Sequence, residues 1–250
     1  MTSNEANAMP AIAQLRDFDR NSGSRLERLV FNHRRWVLLI CVLASLLLGW
    51  QATRVTLNAA FDKTIPQSHP YIRNFLDNRA ELRGLGNAVR VVVENQSGDI
   101  FDPAYLAVLK KVNDELFLLP GVDRPNVKSI WMPGVRWNEV TEEGFTGGPV
   151  MPESYTGRPR DSEQLRQNIV RAQLPGNLVG KDWRSSMIFV PLMDREAVSG
   201  KPLDYRALSR QLEDIRARYS GEQGGIKTSV HIVGFAKVVG DLLDGLNQMI

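Results

Sequence analysis

The sequence predicts an α+β protein in which one N-terminal transmembrane helix is followed by a split β-α-β domain of the ferredoxin-like kind. Three observations lead to this prediction. Residues 36–53 form an uncharged apolar run, the chain after it alternates β-branched runs with helix-period apolar patterns, and no glycine fingerprint follows a predicted strand. A doubly wound nucleotide-binding sheet needs that fingerprint, whereas a two-layer sandwich of sheet and helices does not.

The composition is that of a globular protein, and it disfavours nucleic acid as a partner. Apolar residues make up 43% of the chain and charged residues 24%. Residues 1–50 hold 6 Lys and Arg against 4 Asp and Glu, and residues 51–250 hold 25 against 24. The larger part is therefore nearly neutral, without the basic stripe that phosphate binding requires. The only cysteine, Cys41, lies in the apolar run, so we expect no disulfide and no thiol chemistry in the rest of the chain.

The apolar run has the length of a membrane span. Eighteen residues at about 1.5 Å each give roughly 27 Å of helix, close to the hydrocarbon thickness of a bilayer. Trp36 and Trp50 lie near its ends, where indole rings prefer the headgroup level. A buried soluble helix would keep one polar face, and a cleaved signal peptide would have a shorter leader and a smaller residue than Trp50 before the cut. We therefore interpret residues 36–53 as an anchor.

Basic residues are unevenly distributed around this run. The segment just before it carries four arginines, Arg25, Arg28, Arg34 and Arg35. A comparable length after it carries only two basic residues, Arg54 and Lys63. The positive-inside rule then predicts that residues 1–35 are a cytoplasmic tail and that residues 54–250 lie mainly across the membrane.

A linker and a first β-α-β unit are predicted after the span. Residues 54–70 contain two prolines and are interpreted as the linker, and Ser68 is expected to cap a helix over residues 69–83. The domain itself is predicted over residues 71–233, beginning with strands at 89–94 (VRVVVE) and 127–131 (VKSIW).

The helix between these two strands has a clear start and a clear stop. Asp102 supplies an N-cap acceptor and Pro103 fits the first helical position. Three- and four-residue spacing then predicts an apolar face made of Leu106, Leu109, Val112, Leu116 and Leu119. The pair Pro120-Gly121 ends the helix.

Residues 133–160 are predicted to be a loop without regular elements, because they contain four prolines and five glycines. Glu142 and Glu143 fall in this loop and are interpreted as solvated side chains.

A second β-α-β unit is predicted after the loop. Asp161 is expected to begin a helix, with Gln164 as its capping-box partner. Strands at 186–193 (SMIFVPLM) and 228–233 (TSVHIV) then flank a helix opened by Pro202. The apolar face of that helix is Tyr205, Leu208, Leu212, Ile215 and Tyr219.

Residues 234–250 are predicted to form an amphipathic helix leading towards a second span. Its apolar stripe is Phe235, Val238, Val239, Leu242, Leu243, Leu246, Met249 and Ile250. Its polar face is Lys237, Asp241, Asp244, Asn247 and Gln248. Because the pattern runs to the last residue, we expect the sequence to be the N-terminal portion of a longer protein. Packing of the stripe on the domain is the alternative.

The sequence offers no candidate catalytic, cofactor-binding or metal site. It contains no P-loop, HExxH, CxxC, GxSxG or GxGxxG pattern, which favours a protein that is not an enzyme and binds no cofactor. The three histidines, His33, His69 and His231, are far apart in the sequence, and His231 is expected to face solvent from a strand.

Several short segments, taken in order, resemble the N-terminal part of exporters of the RND superfamily, in particular the MMPL-type branch that includes hopanoid and mycobacterial lipid transporters. They are Phe61–Pro66 (FDKTIP) with His69-Pro70, Arg171–Leu174 (RAQL), Leu178–Asp182 (LVGKD) and His231–Phe235 (HIVGF). The resemblance covers residues from about 25 to 250.

This resemblance implies proton-driven export of hydrophobic or amphipathic molecules from a bacterial inner membrane. The domain outside the cytoplasm would be a periplasmic porter domain that packs against a second one. Further implied partners are the lipid bilayer, the remaining spans, a hydrophobic small molecule or lipid and a homo-oligomeric copy. The proton-carrying acids of the family lie on later spans, so no proton-relay residue is assigned, and the substrate-binding residues stay unassigned.

The other reading from the sequence is a single-pass anchored sensing or adaptor module. What the gene encodes beyond Ile250 distinguishes it from the exporter.

Overall fold

The computed structural model describes residues 24–52, 66, 68–78, 81, 86–142, 144–196 and 199–248. It is a mixed α+β protein whose sheets are antiparallel, and it divides into two compact units, Met1–Asn58 and Ala59–Ile250. Most of the predicted linker, including Arg54 and Lys63, lies outside the described residues.

The first unit contains two helices, α1 (Arg25–Asn32) and α2 (Arg34–Ala52). α2 coincides with the predicted span at 36–53 to within two residues at either end. It is 19 residues long, and by length and composition it is able to cross a bilayer. Among the described residues it is the only helix with this property. None of its side chains is buried, as expected of a helix with apolar residues all round.

The second unit contains the remaining elements in this order: α3 (Pro70–Asp77), β1 (Ala88–Asn95), α4 (Pro103–Leu118), β2 (Arg136–Thr141), β3 (Gly144–Pro149), α5 (Pro159–Arg171), β4 (Ser185–Pro191), α6 (Tyr205–Tyr219), β5 (Gly221–Gln223), β6 (Ile226–Gly234) and α7 (Phe235–Gln248). Four strands form the main sheet in the order β4-β1-β6-β5, and β2 pairs with β3 as a separate two-stranded sheet.

β1 is one of the two interior strands of the main sheet. β4 and β6 both run antiparallel to it, one on each side, so that Val91 pairs with Ile188 and with Ile232. β4 and β6 are therefore parallel to each other, and α6 lies between them in the chain. Such a connection needs a crossover long enough for a helix, which explains why a helix separates the two strands.

One face of this sheet holds the core. Alternate residues of β1 are buried, beginning with Val89, whereas Arg90 on the opposite face is exposed. The apolar faces of α4 and α6 belong to the same core, and Leu109 and Leu212 are among its buried residues. His231 lies exposed on the opposite face, as predicted, with its Nε2 3.3 Å from Oε2 of Glu94.

The predicted strand at 127–131 is wrong. A 3₁₀ turn, Arg124–Asn126, directly precedes this segment, which makes only one antiparallel bridge, from Lys128 to Phe189 of β4. The reason lies on α4: the Ser129 hydroxyl donates to Asn113 Oδ1 at 2.6 Å, and this buried hydrogen bond holds the segment in a turn.

The prediction of a loop at 133–160 is also wrong in part. β2 and β3 form a hairpin there, in which Val140 pairs with Phe145 and Trp137 pairs with Gly148. Gly144, at φ +127°, follows the turn, a backbone conformation that glycine adopts freely. Three of the five glycines that suggested a loop, Gly144, Gly147 and Gly148, are therefore part of a strand.

Three predicted helix starts are corrected. α3 is capped by His69, not Ser68: its Nδ1 accepts from Tyr71 N at 3.3 Å, and the helix ends at Asp77. The predicted continuation of this helix to residue 83 lies partly outside the described residues. Proline at the first helical position decides the start of α3 and of α5, and an acid at the N-cap decides the start of α6.

α5 begins at Pro159, three residues after Thr156 and one turn earlier than predicted. Asp161 is its third helical residue rather than its cap, and its carboxylate accepts from the backbone N–H of Thr156 at 2.9 Å. Gln164 is therefore not a capping-box partner. α6 is capped by Asp204, which accepts from the N–H groups that follow it, and Pro202 lies outside the helix.

Candidate functional site

A groove of about 590 Å³ lies at the C-terminal end of α4. Its apolar lining includes Leu118, Leu119, Val122, Pro125 and Met193. Ligand sites for hydrophobic molecules are typically concave and lined mainly by apolar side chains. The charged residues Asp123, Arg124 and Glu196 also line this groove.

The local sequence shapes the groove. α4 stops at Leu118, and the chain turns through Gly121, whose φ is +77°. This left-handed backbone conformation favours glycine, and a Cβ atom there would also lie 2.4 Å from Cδ1 of Leu203. A hydrogen bond joins this turn to the end of β4: Gly121 O accepts from Met193 N at 2.8 Å. Residues from two distant parts of the sequence are thereby brought together.

Charged side chains surround the groove, and each has a partner within the protein. Arg124 Nε donates to Phe117 O at 3.1 Å, and its guanidinium lies 5.7 Å from the ring centre of Phe117. The Asp123 carboxylate accepts from Asn126 Nδ2 at 2.9 Å. Glu196 accepts from the Ser199 hydroxyl at 2.6 Å. A lining that combines apolar side chains with charged groups already paired within the protein suits an amphipathic ligand better than a reacting one.

A second depression, of about 300 Å³, lies on the other side of the segment from Leu118 to Pro120. This segment lines both depressions, and residues of α6 line the second one. Its wall is an ion pair between α4 and α6: Arg218 Nη1 donates to both carboxylate oxygens of Glu115, at 2.8 and 2.7 Å. The Tyr219 hydroxyl donates to the same carboxylate at 2.7 Å. Burial, and then this carboxylate, raise the pKa of Tyr219. Leu118 separates the two depressions and is 67% exposed.

Part of the predicted polar face of α7 contacts the domain: Lys237 is buried, and Asp241 and Asp244 are bound by side chains of α6. It packs on α6, where Lys237 is bound by Glu213 at 2.6 Å and by Asp241 of its own helix. The Ser209 hydroxyl donates to Asp241 at 2.6 Å. Burial lowers the pKa of Lys237, but the two carboxylates outweigh burial, so that its pKa is raised.

A second pair of contacts lies one turn further along α7. Asp244 accepts from Arg206 Nε at 2.5 Å and from Arg210 Nη2 at 2.8 Å. These guanidinium groups hold the pKa of the Asp244 carboxyl below its ordinary value. Between the two sets of ion pairs, Gly240 allows the helices to approach closely, since a Cβ atom there would lie 2.4 Å from Tyr205 O.

The predicted apolar stripe of α7 is divided by this packing. Val239 is buried against the domain, whereas Val238 and Leu242 are exposed. The alternative of packing on the domain therefore describes the part of the helix from Phe235 to Asp244. Its continuation towards a second span stays a prediction.

The three histidines lie on different elements. His33 lies between α1 and α2, His69 caps α3 and His231 lies on the open face of the main sheet. Glu142 lies exposed in the hairpin turn, and Glu143 is outside the described residues. In the part of the chain that the structure describes, no group of three or more His, Cys, Asp or Glu side chains is able to hold a metal ion.

Comparison with models of protein families finds no match to this chain, and comparison with curated proteins finds none either.

Proposed function

We propose that this chain forms the first span and the first porter domain of a proton-driven RND-superfamily exporter of the MMPL type. The porter domain lies in the periplasm of a bacterial inner membrane, and its cargo is hydrophobic or amphipathic. The remaining spans and a second porter domain are its partners, and the chain performs no catalysis of its own.

The observation that carries this proposal is the order of elements. A membrane-length apolar helix, α2, precedes a domain in which β4 and β6 flank β1 and are joined through α6. We interpret this connection as a split β-α-β unit. The isolated bridge from Lys128 to Phe189 places the segment after α4 on the outer side of β4, where a second unit would have its outer strand. Two such units are the basis of the ferredoxin-like porter fold.

The groove at the end of α4 supports a hydrophobic cargo. Its apolar residues, and the charged residues beside them that are paired within the protein, suit an acyl chain or another hydrophobic group with a polar end. Such a site needs no titratable group with a shifted pKa, because it only binds and releases its ligand.

A single-pass anchored sensing or adaptor module is the second candidate. The ion pairs between α6 and α7 favour it, because they hold the described part of α7 on the domain instead of leaving it for a membrane.

The topology of the proposal makes a direct prediction. An alkaline phosphatase fused after residue 130 is expected to be active, since this enzyme folds only outside the cytoplasm. The physical reason is the excess of arginines before α2, which are retained on the cytoplasmic side. A fusion after residue 24 serves as the inactive control. An inactive phosphatase at residue 130, together with an active cytoplasmic reporter there, would show that the orientation is reversed.

Export is tested with Leu118→Asp in the complete product of the gene. A carboxylate in an apolar groove costs several kcal/mol of ligand binding, so efflux of a hydrophobic dye such as Nile red should fall by about tenfold or more. De-energised cells are loaded with the dye, and its release is followed after glucose addition, with and without a protonophore. Val170→Asp changes an exposed apolar residue outside the groove and is the matched control. Dye release that does not change when the gene is inactivated would exclude the exporter and favour the anchored module.

A further inference from the structure

The helix α1, which directly precedes α2, has an apolar side that is open to solvent. Leu26, Leu29 and Val30 are spaced by three and four residues and therefore share one side of the helix. They are 75%, 61% and 42% exposed. Large apolar side chains grouped on one side of a helix indicate a contact with lipid or protein.

The same segment is basic. Arg25 and Arg28 belong to α1, Arg34 and Arg35 begin α2, and the one acid among them is Glu27. Arg25, Arg34 and Arg35 are exposed. Within the part of the chain that the structure describes, no ion pair joins these three arginines to an acid. Their charge is therefore available to an anionic partner.

The proposed span brings α1 next to the bilayer. One residue, His33, separates α1 from α2. Because α2 has the length of a bilayer core, its first turn lies at the lipid headgroups, and α1, about 12 Å long, lies within roughly 15 Å of them. The backbone hydrogen bond across the turn, from His33 N to Leu29 O, is 3.3 Å, longer than in a regular helix. α1 is therefore able to tilt away from the axis of α2.

We propose that α1 is an interfacial helix that binds anionic phospholipids of the leaflet at which α2 begins. The apolar side of α1 enters the boundary between headgroups and acyl chains, and its arginines bind lipid phosphates. One leaflet thereby supplies both partners that α1 lacks, the apolar one and the anionic one. This proposal rests on the span of the proposed function, and neither on export nor on the side of the membrane at which the chain begins.

Depth measurements on the full chain in nanodiscs of phosphatidylethanolamine and phosphatidylglycerol test the position of α1. In a Cys41→Ala background, a fluorophore is attached to Leu26→Cys or to Asn32→Cys, which is turned by about 120° around the helix. Lipids brominated near the headgroup should quench the label on Leu26→Cys at least about twofold more strongly. Asn32 is closer to α2, by about 9 Å along the helix, so an upright α1 would give the reverse order.

A label on Cys41 of the unmodified chain tests the span separately, because Cys41 lies within α2. Lipids brominated deep in the acyl chain should quench it. A quenched Cys41 label together with equal or reversed quenching at the two α1 positions overturns the interfacial helix and leaves the span intact. A Cys41 label that no lipid quenches overturns the span and the interfacial helix together.

The choice of lipid is tested with two pairs of substitutions. Arg25→Gln with Arg34→Gln should lower the retention of phosphatidylglycerol over phosphatidylethanolamine at least about fivefold, measured by native mass spectrometry of the purified full chain. Arg136→Gln with Arg160→Gln makes the same change of charge at exposed positions of the second unit and should leave retention unchanged. Equal retention in the two double variants would overturn the binding of anionic lipid by α1.

Discussion

Leu109→Asp is expected to abolish folding of the unit that begins at Ala59, and Leu212→Asp should do the same. Leu109 on α4 is 0% exposed and Leu212 on α6 is 1% exposed, and both contribute to one core. An unpaired carboxylate there costs several kcal/mol, on the order of the whole stability of a domain. Limited proteolysis of the full chain in membranes measures the effect as loss of the resistant fragment.

Leu118→Asp is the matched control for this experiment, because it makes the same chemical change on the same helix at an exposed position. It should leave protease resistance unchanged. If Leu109→Asp is as resistant as the unmodified chain, the buried face of α4 has been assigned incorrectly.

Gly240→Ala is expected to destabilise the same unit by about 1–3 kcal/mol, the usual cost of overpacking a tight contact. The new Cβ atom would lie 2.3 Å from Cβ of Ser209 and 2.4 Å from Tyr205 O. Backbone atoms of α6 cannot move aside as a flexible side chain does, so α7 must shift and its ion pairs must stretch. Urea unfolding followed by circular dichroism measures the change through the transition midpoint.

Gly245→Ala provides the comparison within the same helix. Nothing lies within 4 Å of a Cβ atom at Gly245, and alanine favours helix over glycine by up to about 1 kcal/mol. This variant should be as stable as the unmodified chain or slightly more stable. Equal destabilisation by both substitutions would mean that the close approach of α7 to α6 at Gly240 does not occur.

Local signals were sufficient to predict β1, α4, β4, α6 and β6. The pair Asp102-Pro103, for instance, determines the start of α4 through the geometry of the cap itself. Where two local signals competed, the sequence was ambiguous: at α5 the proline at residue 159 decides the start, and Asp161 assists from inside the helix.

Non-local contacts account for the remaining errors. Residues 127–131 have β-branched composition, but the hydrogen bond from Ser129 to Asn113 prevents a strand. The glycines of β3 suggest a loop until its pairing with β2 is known, and Trp137 then covers Gly148. The groove likewise joins Leu118 to Met193, and no periodicity relates these two positions.

The polar face of α7 illustrates the same limit. Lys237 and Asp241 are four residues apart, a spacing typical of a solvent-exposed ion pair on a helix. Their partners on α6, Glu213 and Ser209, show no corresponding pattern in the sequence. A charged face and a buried polar interface therefore look alike until the neighbouring helix is placed.

The interior position of β1 has a consequence for the kinetics of folding. Val91 pairs with Ile188 and Ile232, about 100 and 140 residues later in the chain, and pairing at such separations is slow because loop-closure entropy must be overcome first. During synthesis, β1 has neither neighbour until β4 emerges, and the sheet is incomplete until residue 234. The unit therefore acquires its structure late, and until then the β-branched edges of β1 are open to misassembly with other nascent chains.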